Sequence, residues 1–93
     1  MKKVELSLDI EDACVVISLV SAVACAEKKH PGFVNTPEQA VSVLGEEFGE
    51  FAQAINDKDF NKAENEVLDI MAVCTRFLKA KTKFQEGLSN GCN

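Results

Sequence analysis

The stretch from Ala13 to Ala26 carries no charged side chain, and it constrains the fold more than any other feature of the sequence. At about 14 residues it falls short of the ~17–25 that a membrane-spanning helix requires. Asp9, Glu11 and Asp12 stand directly before it, where a secretory signal would be positively charged. It therefore reads as a buried helix. The acidic residues suit the positive end of the helix dipole and Lys28 and Lys29 the negative end, which bounds a first helix over about residues 9–28. Its middle, from Cys14 to Cys25, is apolar or small almost all round, and a helix without a wet face must be covered on several sides. One small chain supplies too little cover, so a homodimer or homotetramer is expected.

The remaining chain reads as two more helices. Pro31 and Gly32 mark a loop, and Thr36-Pro37-Glu38-Gln39 reads as a helix start, with Thr as N-cap, Pro at the first position and Gln completing a capping box. A second helix follows over about 37–56, with Val41, Leu44, Phe48, Phe51 and Ile55 as its apolar stripe. After the polar turn Asn56–Asp59, capped by Asp57 or Asp59, a third helix is expected over about 59–81. Its stripe is Ala63, Val67, Ile70, Cys74 and Phe77, broadened by Phe60, Met71 and Leu78. Residues 84–93 lose periodicity and are expected to fray. The fold class is thus all-α: one domain over 1–93, an antiparallel helical bundle completed by homo-oligomerisation.

A net charge of −5 over 93 residues argues against a nucleic-acid partner, because gripping that backbone means neutralising phosphates with Lys and Arg. No membrane partner is expected either. Cys14, Cys25, Cys74 and Cys92 show no metal-binding spacing and read as reduced thiols of a cytoplasmic protein, three of them small core residues. His30, the sole histidine, reads as incidental.

Two acidic runs carry the chemistry. Glu46-Glu47-Phe48-Gly49-Glu50 and Glu66-Val67-Leu68-Asp69 each hold carboxylates three residues apart, about one turn along one side of a helix. Glu47 and Glu50 border the second helix's stripe, Glu66 and Asp69 the third's, whereas Glu46 points further toward solvent. A short turn makes these helices antiparallel neighbours, so the pairs can face each other. Four carboxylates held together repel unless a cation or protons intervene, and an all-oxygen cage suits a hard divalent ion.

This doubled pattern, Glu46-Glu47-x-x-Glu50 and then Glu66-x-x-Asp69, resembles the signature of the MazG-like, all-α nucleoside triphosphate pyrophosphohydrolases, with similarity running from Phe33 through Phe77. The resemblance implies Mg²⁺, with Mn²⁺ as a substitute, on Glu47, Glu50, Glu66 and Asp69. It implies hydrolysis of a nucleoside or deoxynucleoside triphosphate to the monophosphate and pyrophosphate, including non-standard nucleotides. Glu46 or Glu50 would take the proton of the attacking water. Lys62, Arg76, Lys79 and Lys83 would meet the phosphates, while Phe33 would stack on the base and Asn35 read its edge. Family members usually continue past the second motif into a further helix bearing basic and amide residues, whereas this sequence ends soon after Phe84, so completion of the site by a second protomer is expected.

Two other readings compete. A carboxylate-bridged iron or manganese protein would use Glu-x-x-His on facing helices, and the sole histidine lies in a loop. A non-catalytic helical oligomerisation module would leave the acidic residues as a solvated face.

Overall fold

A computed structural model describes residues 2–92, with side chains except at positions 83 and 86–92. The expectation for Lys83 lies outside the described side chains, as does the end of the tail at Asn93. Three helices, α1 (Ile10–Lys29), α2 (Pro37–Asn56) and α3 (Phe60–Cys92), account for the architecture, with no strand among the described residues. None of these helices is long and apolar enough to cross a membrane.

Each helix starts where its cap dictates. The Asp9 carboxylate accepts from the Asp12 N–H at 2.9 Å, Thr36 Oγ1 from the Gln39 N–H at 3.1 Å, and Asp59 Oδ1 from the Lys62 N–H at 3.1 Å. Gln39 reaches back at 2.9 Å to accept from the Asn35 N–H, one residue earlier than a standard capping box, so α2 is locked to the loop before it. The three-residue turn between α2 and α3 holds Lys58 in the left-handed region at φ 56°, while the Asp59 N–H donates to the Ala54 carbonyl at 2.9 Å. That geometry folds α3 back along α2.

α3 runs on to Cys92, past the expected end at 81 and through the segment expected to fray. Nothing between Lys81 and Glu86 breaks a helix, and the Phe84 ring lies 5.5 Å from that of Phe77, two turns earlier.

Packing departs from the expected stripes. α3 is the central element, touching α2 along one side and α1 along another, while α1 and α2 do not pack on each other. α2 turns its small residues inward: Ala40 and Ala54 are buried and Val43, Leu44, Glu47 and Phe51 half-buried, whereas Val41, Phe48 and Ile55 stay outside, Phe48 at 64% exposure. On α3, Ala63, Glu66, Ala72, Val73 and Arg76 face inward, while Phe60, Cys74 and Leu78 are exposed. Small side chains let the two backbones approach closely, and the helices rotate accordingly. The larger side chains are left facing away.

The single chain leaves most of α1 uncovered. Only Val23 is buried in that helix, and Val15, Ile17 and Val20 are exposed, because α3 covers a single side of it. Cys14, Cys25 and Cys74 are free, as expected, but exposed, where core positions were expected for three cysteines.

The folded chain is accordingly open. Its radius of gyration is 15.7 Å, against about 12 Å for a compact chain of this length. Its accessible surface is 7327 Å², roughly 2,000 Å² more than a compact monomer of this mass exposes.

Candidate functional site

The inward rotation of α2 and α3 carries carboxylates with it. Glu66 ends up 8% exposed, the most buried acidic group among the described residues, and Glu47 faces it half-buried from α2. Asp69, one turn beyond Glu66 on α3, completes a group whose ligand oxygens all lie within 4.8 Å of one another. One oxygen of Glu47 and one of Glu66, Oε2 in each case, are buried with no hydrogen-bond partner.

Such an arrangement is costly for bare anions. Burial first, then the adjacent Glu66 carboxyl with which it would share a proton, then the charges of Asp69, Glu66 and Glu50 push the Glu47 carboxyl up from 4.5 to about 7. Asp69 is also raised, by burial and by the Glu66 charge, against the opposing pull of Lys29. Glu50 is raised chiefly through Glu66, by proton sharing and then by charge, with Lys62 pulling the other way.

The fit to a divalent cation can be tested on these atoms. Oxygens on opposite sides of a coordinated Ca²⁺ stand about 4.8 Å apart and those of a Mg²⁺ about 4.2 Å, so a spread of 4.8 Å needs at most a small inward adjustment. The donors are all hard carboxylate oxygens, and Glu47 and Glu66 each carry a buried oxygen with no hydrogen-bond partner. Glu47, Glu66 and Asp69 are therefore compatible with a hard divalent cation.

Glu50, the fourth expected ligand, lies outside this group of three, exposed yet close enough to Glu66 to respond to it. Glu46 is exposed one turn earlier and acts on Glu50 through its charge. Both remain on the solvent side of the cluster.

A cleft of about 930 Å³ opens beside the carboxylates, between the end of α1 and the first half of α2, floored by α3. Glu47 and Asp69 stand on its wall together with Phe33, Asn35 and Arg76. Its size is that of a small-molecule site.

Among the expected phosphate ligands the structure divides sharply. Arg76, 7% exposed, donates from Nη1 to the Ala26 carbonyl at 3.1 Å and from Nη2 to the His30 carbonyl at 2.7 Å, with the Phe33 ring centroid 5.2 Å from its guanidinium carbon. It clamps the end of α1 and the following loop to α3, so two of the donors expected to meet phosphate are engaged on backbone carbonyls. Lys79 is paired with Glu27 at 2.9 Å across the α1–α3 contact and is absent from the cleft wall. Lys62 is exposed at the start of α3, on the Glu50 side.

Lys29, His30, Gln39 and Asn65 also line the cleft and were not among the expected site residues. The position of Lys29 beside Asp69 depends on how the Arg76 clamp folds the chain end of α1 back, which no local pattern encodes. Asn65 could have been found, since it precedes Glu66 directly. Comparison of the chain with protein-family models, with curated proteins and with solved structures gave no match to any of them.

Proposed function

We propose that this protein is a divalent-cation-dependent nucleoside triphosphate pyrophosphohydrolase, with Mg²⁺ as its ion. The observation that carries the reading is the pair of orphaned carboxylate oxygens on Glu47 and Glu66, converging with Asp69 beside a cleft large enough for a nucleotide. Carboxylates kept buried without donors are retained against their own repulsion, and a hard cation relieves that repulsion. When bound, the ion offsets phosphate charge and makes a coordinated water more acidic.

The chain's own residues then have distinct tasks. Glu47, Glu66 and Asp69 would hold the ion; Glu50 or Glu46, outside the cluster and in contact with solvent, would accept the proton of the attacking water. Lys29 at the cleft wall and Lys62 near Glu50 supply positive charge for the phosphates beyond the ion's reach. Phe33 closes one side of the cleft, and the Asn35 and Gln39 amides offer hydrogen-bonding groups for a base edge. Hydrolysis between the α- and β-phosphates yields the monophosphate and pyrophosphate.

The test is direct. Purified protein with Mg²⁺ and a panel of nucleoside and deoxynucleoside triphosphates should release pyrophosphate and monophosphate in equal amounts, and Glu66→Gln should lower the rate at least 100-fold. Release of orthophosphate instead, or a rate untouched by Glu66→Gln, would refute the assignment.

A second reading, a non-catalytic oligomerisation module, has the exposed apolar side chains Val15, Ile17, Phe48 and Leu78 in its favour. It requires that Mg²⁺ and a non-hydrolysable triphosphate leave the melting temperature unchanged.

A further inference from the structure

Ahead of α1, residues 2–9 form neither helix nor strand and lie outside everything described so far. From Lys3 to Ile10 polar and apolar residues alternate strictly: Lys3, Glu5, Ser7 and Asp9 on one side, Val4, Leu6, Leu8 and Ile10 on the other. That is the period of a β-strand with one face to bury. Nothing in the protomer buries it, for Val4 is 83%, Leu6 70% and Ile10 80% exposed. Among the described residues no backbone hydrogen bond ties Lys2–Leu8 to the rest of the chain, and no strand exists for it to pair with. An unpaired amphipathic strand is a template for another chain.

We infer that the segment Lys3–Asp9 pairs with the same segment of a second copy, forming a two-stranded antiparallel ribbon with Leu6 on the dimer's two-fold axis. Charge and face together select this register. With Leu6 opposite Leu6, Val4 meets the partner's Leu8 on the apolar face, and on the polar face Lys3 meets the partner's Asp9 and Glu5 the partner's Ser7. A slip of the register that sets odd positions against even ones places apolar residues opposite polar ones. Centring the pair on Ser7 sets Glu5 against Asp9, and centring it on Glu5 sets that residue against its own copy. A parallel, in-register pair sets Lys3 against Lys3 and Glu5 against Glu5. Of the registers that pair the whole segment, only the Leu6-centred antiparallel one joins like faces without opposing like charges.

A bare two-stranded ribbon is marginal in water, so its apolar face needs a floor. Ile10 and Ile17, seven residues apart on one side of α1 and both exposed, would supply one in the dimer. The surplus surface of the protomer, roughly 2,000 Å² over a compact monomer, also exceeds the ~800 Å² that each partner contributes to a standard interface. This inference stands apart from the catalytic reading and survives its failure.

Cross-linking reads the register. In otherwise unaltered protein, Leu6→Cys should give, under mild oxidation by diamide, a bridge between the two introduced thiols, identified by peptide mapping with the native cysteines as internal controls. Val4→Cys alone should not bridge, since its two copies would stand about 13 Å apart along the ribbon. An equimolar mixture of Val4→Cys and Leu8→Cys chains should form the mixed bridge. In sedimentation equilibrium the wild-type chain should be dimeric or a multiple of it, and Leu6→Asp should raise the dissociation constant at least tenfold with helical circular dichroism retained. A monomeric wild type, an unchanged dissociation constant in folded Leu6→Asp, or bridging of Val4→Cys as efficient as that of Leu6→Cys would overturn the proposal.

Discussion

The α2–α3 hairpin and the α1 region with the segment before it treat their side chains in opposite ways. In the hairpin the inward line mixes alanines with Glu47, Glu66 and Arg76, so charge is buried and large apolar groups such as Phe48 and Phe60 face out. In α1 and the segment before it, apolar side chains are exposed in numbers and a single valine is buried. Each inverts the usual rule of apolar inside and charged outside, for a different reason. The hairpin buries charge where a ligand would offset it; the α1 region exposes apolar surface where another protein surface would cover it.

The largest expected effect attacks the clamp joining the two regions. Arg76→Ala removes two hydrogen bonds from a buried cation and leaves the Ala26 and His30 carbonyls without those donors, which should cost about 3 kcal/mol. A urea titration with the same m-value and a lower midpoint checks it. If stability barely changes, the regions are not coupled through Arg76.

Next comes the cation. Mg²⁺ at about 100 times its dissociation constant should stabilise the protein by ~2.7 kcal/mol, visible as a higher melting temperature. Glu66→Gln should abolish that response while leaving the metal-free protein no less stable, since it removes a charge repelled by its neighbours.

Metal-free stability should also depend on pH in a definite sense. Glu47 titrates near 7 in the folded protein against an ordinary 4.5, so between those values the folded state binds the proton more tightly than the unfolded state. Stability from this group is therefore full below about 4.5 and falls as pH rises through 7, by of the order of 1 kcal/mol after solvent screening. Melting curves in a chelator from pH 5.5 to 8 should show the decline, flattened in Glu47→Gln and by Mg²⁺. A rise over that range would contradict the crowded carboxylates.

The smallest effect lies in the turn. Lys58 sits at φ 56°, where a side chain is strained, and Lys58→Gly should raise stability by about 0.5 kcal/mol without altering cation binding. A shift in cation affinity would mean that the turn sets the spacing of the carboxylates.

How far this was legible in the sequence follows from the range of the interactions. Asp9, Thr36 with Gln39, and Asp59 mark their helix starts through bonds to residues three or four positions away, and such local chemistry can be read directly. The facing of Glu47 toward Glu66 follows from a turn too short to do anything but reverse the chain. The rotation of α2 does not follow, because that helix carries two apolar lines. Val41, Phe48 and Ile55 make the bulkier one, but Ala40 and Ala54 allow the closer approach and lie inside. The clamp was invisible for another reason: Arg76 binds backbone carbonyls 46 and 50 positions away, and carbonyls carry no residue signature.

The central claim is that Glu47, Glu66 and Asp69 form a divalent cation site, and Mn²⁺ makes it directly observable. Titrating the protein with Mn²⁺ and following the electron paramagnetic resonance signal of the free ion should give saturable loss of signal, competed by Mg²⁺ and absent in Glu66→Gln. A free-ion signal that rises linearly with added Mn²⁺ in the wild type, or equal loss in Glu66→Gln, would contradict it.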